Sequence, residues 1–337
     1  MSSVAPVDLS IVIPCYNEEE SLPRLVEVLL ETVPQLVASY EVILVDDGSK
    51  DGTLDLLREV AASTPHFRYL ALSRNFGKES AMLAGLTWAH GNAVALMDGD
   101  LQHPPALLGE MLPLLDQGYH QVVARRTRTN DPVVRTALSR VYYKLMNRLM
   151  DVELGDGMGD FRVLSRPAVS ALLSLGETNR FSKGLFAWIG FPTAVVDYEN
   201  VSREAGTSKW RLSSLLEYGI DGVVSFNYRP LRLFIWLGLL VTLVAVGYAG
   251  WVLVDAVING NSAPGYVTTI CAVTGLGGLQ MILLGVIGEY LGRIYAETKR
   301  RPLFLLRESS AGPTHMPVNV PLGTGVGQVP ADDEDEI

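Results

Sequence analysis

The chain has 337 residues, 48% of them hydrophobic and 19% charged, which allows one sizeable globular domain plus further elements and excludes a coiled coil or a disordered chain. The net charge of -10 would oppose an anionic partner if it were spread evenly. It is not: residues 332–336 form an unbroken acidic run, while 125–148 carry seven basic residues against the single acid Asp131. The first ten residues hold no basic stretch followed by an apolar core, so no secretory signal is expected and the N-terminal domain is expected in the cytosol.

Short apolar runs at 9–14, 41–45, 67–72, 93–97 and 121–124 alternate with helical stretches such as 53–60, which Asp51 is placed to cap. This alternation predicts an α/β domain with a mostly parallel sheet covered on both faces. Ligands in such sheets sit beyond the carboxyl ends of the strands, and the polar clusters fall there. P-C-Y-N-E-E (14–19) follows the first run, D-D-G-S (46–49) the second, S-R-N-F-G-K (73–78) the third and D-G-D-L-Q (98–102) the fourth. Four polar strand ends define one crevice. Asp98 and Asp100, one residue apart where a strand stops, can meet one hard divalent cation, although a bare D-x-D is as often a turn or a solvated cap. Cys15 and Cys271 read as small reduced hydrophobes that do not meet.

Residues 134–150 read as an amphipathic helix with Arg140, Lys144 and Arg148 on one side, and 208–228 as a second, leading into an apolar stretch. Basic helices of this kind lie in the membrane interface or form a solvated surface. The stretches 233–254 and 267–288 each lack a charged residue over the length a helix needs to cross about 30 Å of hydrocarbon, so both are expected to span. The connection 255–266 has no Lys or Arg. Arg229 and Arg232 precede the first stretch, and Arg293, Lys299, Arg300 and Arg301 follow the second, which places both termini in the cytoplasm. Gly275, Gly277, Gly278, Gly285 and Gly288 suit close helix packing in lipid. The predicted organisation is a catalytic domain over 1–200, a juxtamembrane amphipathic segment over 201–230 and a two-helix membrane domain over 231–290. A basic juxtamembrane segment over 291–310 and a disordered acidic tail over 311–337 complete it.

The motifs I-V-I-P-C-Y-N-E-E (11–19), V-D-D-G-S-x-D-G-T (45–53), R-N-F-G-K (74–78), D-G-D-L-Q-H-P-P (98–105) and G-D-F-R (159–162) together resemble the family 2 glycosyltransferases with the GT-A fold. G-E-Y-L-G-R-I-Y-A-E-T-K-R-R-P (288–302) resembles their polyprenyl-phosphate branch, which includes bactoprenol glucosyltransferases and dolichol-phosphate mannose synthases. The resemblance implies that Pro14, Tyr16, Glu18 and Asp46 hold the nucleoside, with Asp47 near the base or ribose. It sets Asp98 against the nucleotide and makes Asp100 and Gln102 ligands of Mg2+ or Mn2+ bridging the diphosphate. Arg74 and Lys78 add positive charge there or belong to surface ion pairs, and His103 is structural. Arg126, with Arg135 and Ser139, is implied to hold the lipid phosphate, with the neighbouring Arg125 as the alternative. The R-E-A-G-T-S-K-W segment (203–210), through Arg203 and Lys209, closes over the diphosphate or acceptor, or else anchors the chain at the headgroups. Asp160 orients the sugar hydroxyls or the acceptor, or is an N-cap or a partner of Arg162.

The activity implied is inverting transfer of a hexose, glucose from UDP-glucose first, to undecaprenyl or a related polyprenyl phosphate at the cytoplasmic leaflet. The same chemistry with mannose from GDP-mannose, an N-acetylhexosamine or an amino-arabinose is the near alternative. A processive synthase would carry Q-x-x-R-W, which has no match here, and the intact D-G-D-L-Q weighs against a non-catalytic partner of a lipid-sugar flippase. The implied partners are the nucleotide sugar, the polyprenyl phosphate, the bilayer and further copies of the chain, with a tetramer among the options, and no nucleic acid.

Overall fold

The computed structural model describes residues 7–127, 158–178, 180–198, part of 238–258, and 265–310. The chain divides into two compact units. One comprises Met1–Tyr143, Glu153–Trp210 and Arg301–Ile337, the other Lys144–Val152 and Arg211–Arg300.

In the first unit the described strands are β1 (Leu9–Cys15), β2 (Tyr40–Asp46), β3 (Phe67–Leu72), β4 (Ala93–Leu96), β5 (Gln121–Arg126), β6 (Met158–Ser165), β7 (Thr193–Tyr198) and β8 (Leu306–Ser309). They form one sheet in the order β7-β5-β6-β4-β1-β2-β3-β8. The helices are α1 (Leu22–Thr32), α2 (Thr53–Ser63), α3 (Lys78–Trp88), α4 (Leu108–Asp116), α5 (Arg166–Ser174) and α6 (Ser182–Trp188). β2 is buried along its whole length and β1 at all but one residue, as expected of strands covered on both faces. In α1 the buried residues Leu22, Leu25, Val26 and Leu29 recur at helical spacing, and Pro23 in the first turn costs no hydrogen bond. Helix α3 lies close on β1 because residue 85 is glycine: a Cβ there would overlap the Val12 side chain.

The sequence-predicted strands all form, within two residues of their expected ends. The sheet is nevertheless more mixed than the alternation suggested. β4, β1, β2 and β3 are mutually parallel, as are β5 and β7, but β6 runs antiparallel between β4 and β5, and β8 runs antiparallel on β3. The G-D-F-R motif thus lies on a central strand. Strand β8 corrects the reading of 291–310 as a single basic juxtamembrane segment. Phe304 is buried, the Ser73 and Ser310 N–H groups donate across the β3–β8 edge, and Arg58 on α2 pairs with Glu308 at 2.6 Å.

In the second unit, the described residues between 238 and 258 are helical, and Tyr266–Thr298 is a continuous helix of 33 residues, about 50 Å long at 1.5 Å per residue. It outlasts the expected span 267–288 by ten residues, and Arg293 on that extension pairs with Glu289 one turn earlier. Among the described residues this is the one helix long and apolar enough to cross a membrane, best over Gly275–Thr298, with Met281, Leu284, Ile287 and Leu291 exposed. The expected amphipathic helices 134–150 and 208–228, residues 233–237 of the first expected span, and the tail 311–337 lie outside the described residues.

Candidate active site

The order of the parallel strands reverses between β1 and β4, and the polar loops gather beyond their carboxyl ends. The loops after β1 and β2 are sewn together. Asn17, at φ 54°, takes Ser49 Oγ on its N–H at 3.0 Å and offers Oδ1 to the Lys50 N–H at 2.8 Å. The Glu18 N–H donates to Thr53 Oγ1 at 2.9 Å, and the Gly52 N–H to Glu19 Oε2 at 2.9 Å. Asp51 accepts from the Thr53 N–H at 3.1 Å, but the N-cap residue of α2 is Gly52 and not the expected Asp51. The Glu18 carboxylate accepts from Ser21 Oγ, and Tyr16 is exposed at the rim beside the half-buried Pro14. Cys15 is buried and burial pushes its thiol pKa upward, assisted by Glu18 and Asp46, so it remains a thiol. The Cys271 side chain lies outside the described residues.

The two carboxylates at the end of β2 face different ways. Asp46, buried, takes the Ser49 N–H at 3.1 Å and shapes its own turn. Asp47, only 3% exposed, takes the Phe76 N–H at 2.7 Å and the Gly77 N–H at 2.9 Å, and so anchors the loop after β3. Burial pushes the Asp47 carboxyl pKa up against the pull of those two N–H groups. Gly48 makes the contact sterically feasible: its φ is +67°, and a Cβ would stand 2.5 Å from the Arg74 carbonyl carbon and the Asn75 nitrogen. Asp47 therefore presents its oxygens to the 74–78 loop, whereas the resemblance had placed it near the base or ribose. Arg74 in that loop lies over the Phe76 ring, 4.1 Å from its centroid.

Lys78, the first residue of α3, ties the remaining strand ends together. Its ammonium is 2.6 Å from Asp98 Oδ1 and 2.6 Å from Asp160 Oδ2. Burial works against the charged lysine, but the two carboxylates outweigh it and hold its pKa above the ordinary value. Burial likewise opposes the charge on Asp160, yet Lys78, Lys183 and Arg162 bring its carboxyl down to about 2. Asp160 thus meets Lys78 and is not an N-cap. Arg162 donates to the Gly159 carbonyl and stacks over Phe186 at 3.4 Å.

After Asp98 the chain turns through Leu101, at φ 55°, with the Gln102 N–H on Asp100 Oδ1 at 3.1 Å. His103 packs against Phe161 and bonds through Nδ1 to the Tyr198 hydroxyl at 2.6 Å. Burial lowers the His103 pKa against the attraction of Asp98 and Asp100. Burial also pushes the Tyr198 phenol up to about 12, with Arg126 acting in the opposite sense. Arg126 closes β5 and stands opposite Tyr198 in register, whereas Arg125 is bound bidentately to Asp197 at 2.6 and 2.8 Å. Arg126 acts on the Tyr198 phenol, as Asp100 and Asp98 also do. Tyr198 was missed from sequence; the signal available was the alternation over 193–198. Arg135, Ser139, Arg203 and Lys209 lie outside the described residues.

Two family models match the chain: Glycosyl transferase family 2 over residues 10–173 and the GtrB C-terminal hairpin over 229–294. The putative glycosyltransferase CsbB of Bacillus subtilis (strain 168) is 50% identical over 302 residues, covering 90% of this chain and 92% of its own. The chain belongs to glycosyl transferase family 2. The SfII prophage-derived bactoprenol glucosyl transferase of Shigella flexneri is 36% identical over 305 residues, 90% of this chain and 99% of that protein. Among solved structures, the mannosyltransferase PcManGT of Pyrobaculum calidifontis in complex with GDP-Man and Mn2+ is similar at 18% identity and a TM-score of 0.49, covering 85% of this chain and 87% of that one. A likeness that loose carries no comparison of residues.

For this glycosyltransferase the fold is α/β and GT-A-like, followed by the C-terminal hairpin that associates it with a membrane. Among its described residues no three His, Cys, Asp or Glu side chains converge to hold a metal by themselves. The oxygen donors of Asp100 and Gln102 nonetheless suit Mg2+ or Mn2+ of the kind that takes one or two protein ligands and completes its shell with substrate phosphates and water.

Proposed function

We propose that this glycosyltransferase moves glucose from UDP-glucose to a polyprenyl phosphate at the cytoplasmic face of the membrane, with inversion at the anomeric carbon. The observation that carries this reading is the similarity to a bactoprenol glucosyl transferase through both the catalytic region and the hairpin, over 99% of that protein's length. In this reading Pro14, Tyr16, Glu18 and Asp46 border the nucleoside, and Asp47 supports them by holding the 74–78 loop. Asp100 and Gln102 hold Mg2+ or Mn2+, which when bound withdraws charge from the leaving diphosphate. Asp98 and Asp160, fixed by Lys78, line the space for the sugar.

A polyprenyl phosphate is an anion near neutral pH, so its oxygen needs no strong base to attack. Positioning and charge neutralisation then carry the rate. Arg126 is suited to the acceptor phosphate because its planar fork can donate two hydrogen bonds, and Arg135, Ser139, Arg203 and Lys209 are assigned to the same task. The spans 233–254 and 267–288 hold the domain at the leaflet where the acceptor lies, with both termini cytoplasmic and several copies assembled. The test is a panel of labelled UDP-glucose, GDP-mannose and UDP-N-acetylglucosamine given to the purified protein with Mg2+ and undecaprenyl phosphate. Transfer from UDP-glucose with an inverted product is expected; preference for another donor, or a retained configuration, would overturn the corresponding part.

A further inference from the structure

The register that sets Leu96 of β4 against Arg162 of β6, carried two residues farther, sets Asp98 against Asp160. Like charges placed opposite each other on neighbouring strands repel. The ammonium of Lys78 enters between them from the start of α3, 2.6 Å from an oxygen of each. We propose that Lys78 is a positioning residue: it is the built-in counter-ion of the Asp98–Asp160 pair and fixes both carboxylates before any ligand arrives.

Two features support this role over that of a diphosphate ligand. The backbone behind Lys78 is anchored, since the Phe76 and Gly77 N–H groups are both held by Asp47. The next residue, Glu79, accepts from the N–H and hydroxyl of Ser182 on α6, so the first turn of α3 is fixed on either side of the lysine. A lysine ammonium is a compact charge with three donors, and two of them are directed at carboxylates here. The consequence concerns the cation. With Lys78 in place the group Asp98, Asp160 and Lys78 carries a net single negative charge, so the divalent ion is left to Asp100 and Gln102. Without it the two carboxylates, with only Lys183 and Arg162 still acting on Asp160, would compete more strongly for metal.

This inference rests on the proposed reading of the site, and the experiment separates the two. Mn2+ affinity is measured by electron paramagnetic resonance on the full-length protein without donor or acceptor, for wild type, Lys78→Met, Lys78→Arg and the double variant Lys78→Met/Asp160→Asn. Lys78→Met is expected to bind Mn2+ about tenfold more tightly than wild type, because a cation that opposed the metal has gone. Lys78→Arg should stay near wild type, and the double variant, whose charge is rebalanced, should return toward it. The double variant also serves if Lys78→Met alone does not fold. In glucose transfer, kcat of Lys78→Met should fall while KM for the donor changes less than about threefold, since the loss is of positioning rather than of binding. Unchanged or weaker Mn2+ affinity in Lys78→Met, or a rise in donor KM with kcat intact, would overturn the proposal and make Lys78 a diphosphate ligand. Wild-type transfer decides the function, whereas the affinity ratio decides the role of Lys78 whichever sugar moves.

Discussion

Asp98 and Asp160 stand across the β4–β6 pairing with one ammonium, that of Lys78, bonded to both. The first carboxylate comes from the loop that carries the D-x-D motif and the second from an antiparallel strand about sixty residues later. Removing one of them tests the arrangement. Asp160→Asn should lower the transfer rate by about a hundredfold or more, the scale of a lost charged contact at a reacting centre, while moving the melting temperature by only a few degrees. Steady-state kinetics beside thermal unfolding check this. The Asp160 pKa of about 2 lies below its unfolded value, so its stabilising contribution is complete above the ordinary carboxylate range and is lost only as the pH falls through about 2. A fall in activity between pH 7 and 5 should therefore persist in kind whether residue 160 is Asp or Asn.

Asp47 offers a second test, because both of its oxygens accept backbone N–H groups in a buried place. An asparagine there keeps one acceptor and turns an NH2 toward the other N–H. Asp47→Asn should cost about 1–3 kcal/mol in urea unfolding, the penalty of an unsatisfied buried donor, and raise donor KM through the displaced 74–78 loop. Unchanged stability would show that the loop holds without this anchor.

Much of this was legible in the residues. The parallel core announced itself through apolar runs at 9–14, 41–45 and 67–72, because strands buried on both faces read as near-continuous apolar runs; β3 does so less fully, with Arg68 and Tyr69 only half-buried. The polar clusters at 14–19, 46–49, 73–78 and 98–102 marked the crevice for the same topological reason. The pairing of strands distant in sequence was not legible. Nothing in G-D-F-R states that it lies antiparallel beside β4, so Asp160 could be suspected as a site residue while its bond to Lys78 could not. Strand β8 is short and follows a helix of 33 residues; the partner that gives Leu306–Ser309 its shape is β3, more than 230 residues earlier. Composition alone made that stretch look like a basic tether. The bidentate pairing of Arg125 with Asp197 was likewise not legible.

Strand β8 predicts a sharp boundary for truncation. A chain ending at Ala311 should transfer glucose as the whole protein does. A chain ending at Pro302 loses buried Phe304, the Arg58–Glu308 pair and the cover on the edge of β3. It should lose at least about 2 kcal/mol, roughly the burial of one large apolar side chain, and aggregate through the bare strand edge. Size-exclusion chromatography and thermal unfolding of the two truncations distinguish them.

Glu79 gives the stability a pH dependence of its own. Burial raises its carboxyl pKa above the ordinary value of 4.5, with the Ser182 hydroxyl, through its bond, pulling the other way. A raised folded pKa means that the contribution of this group is fully present below about 4.5 and is lost as the pH rises through the folded value. Glu79→Gln removes that ionisation and keeps an acceptor for Ser182. The decline in melting temperature from pH 5 to pH 8 should be smaller in Glu79→Gln than in wild type, and an equal decline would assign the pH dependence elsewhere.

The most direct measurement is the movement of label from UDP-[14C]glucose into an organic-extractable lipid, with purified protein and Mg2+, in the presence and absence of undecaprenyl phosphate. The wild type should produce labelled lipid only when the polyprenyl phosphate is present, and Asp100→Ala, folded and equally abundant, should produce none. Label that appears without the lipid phosphate, or an Asp100→Ala protein as active as wild type, would contradict a metal-assisted transfer to a polyprenyl phosphate.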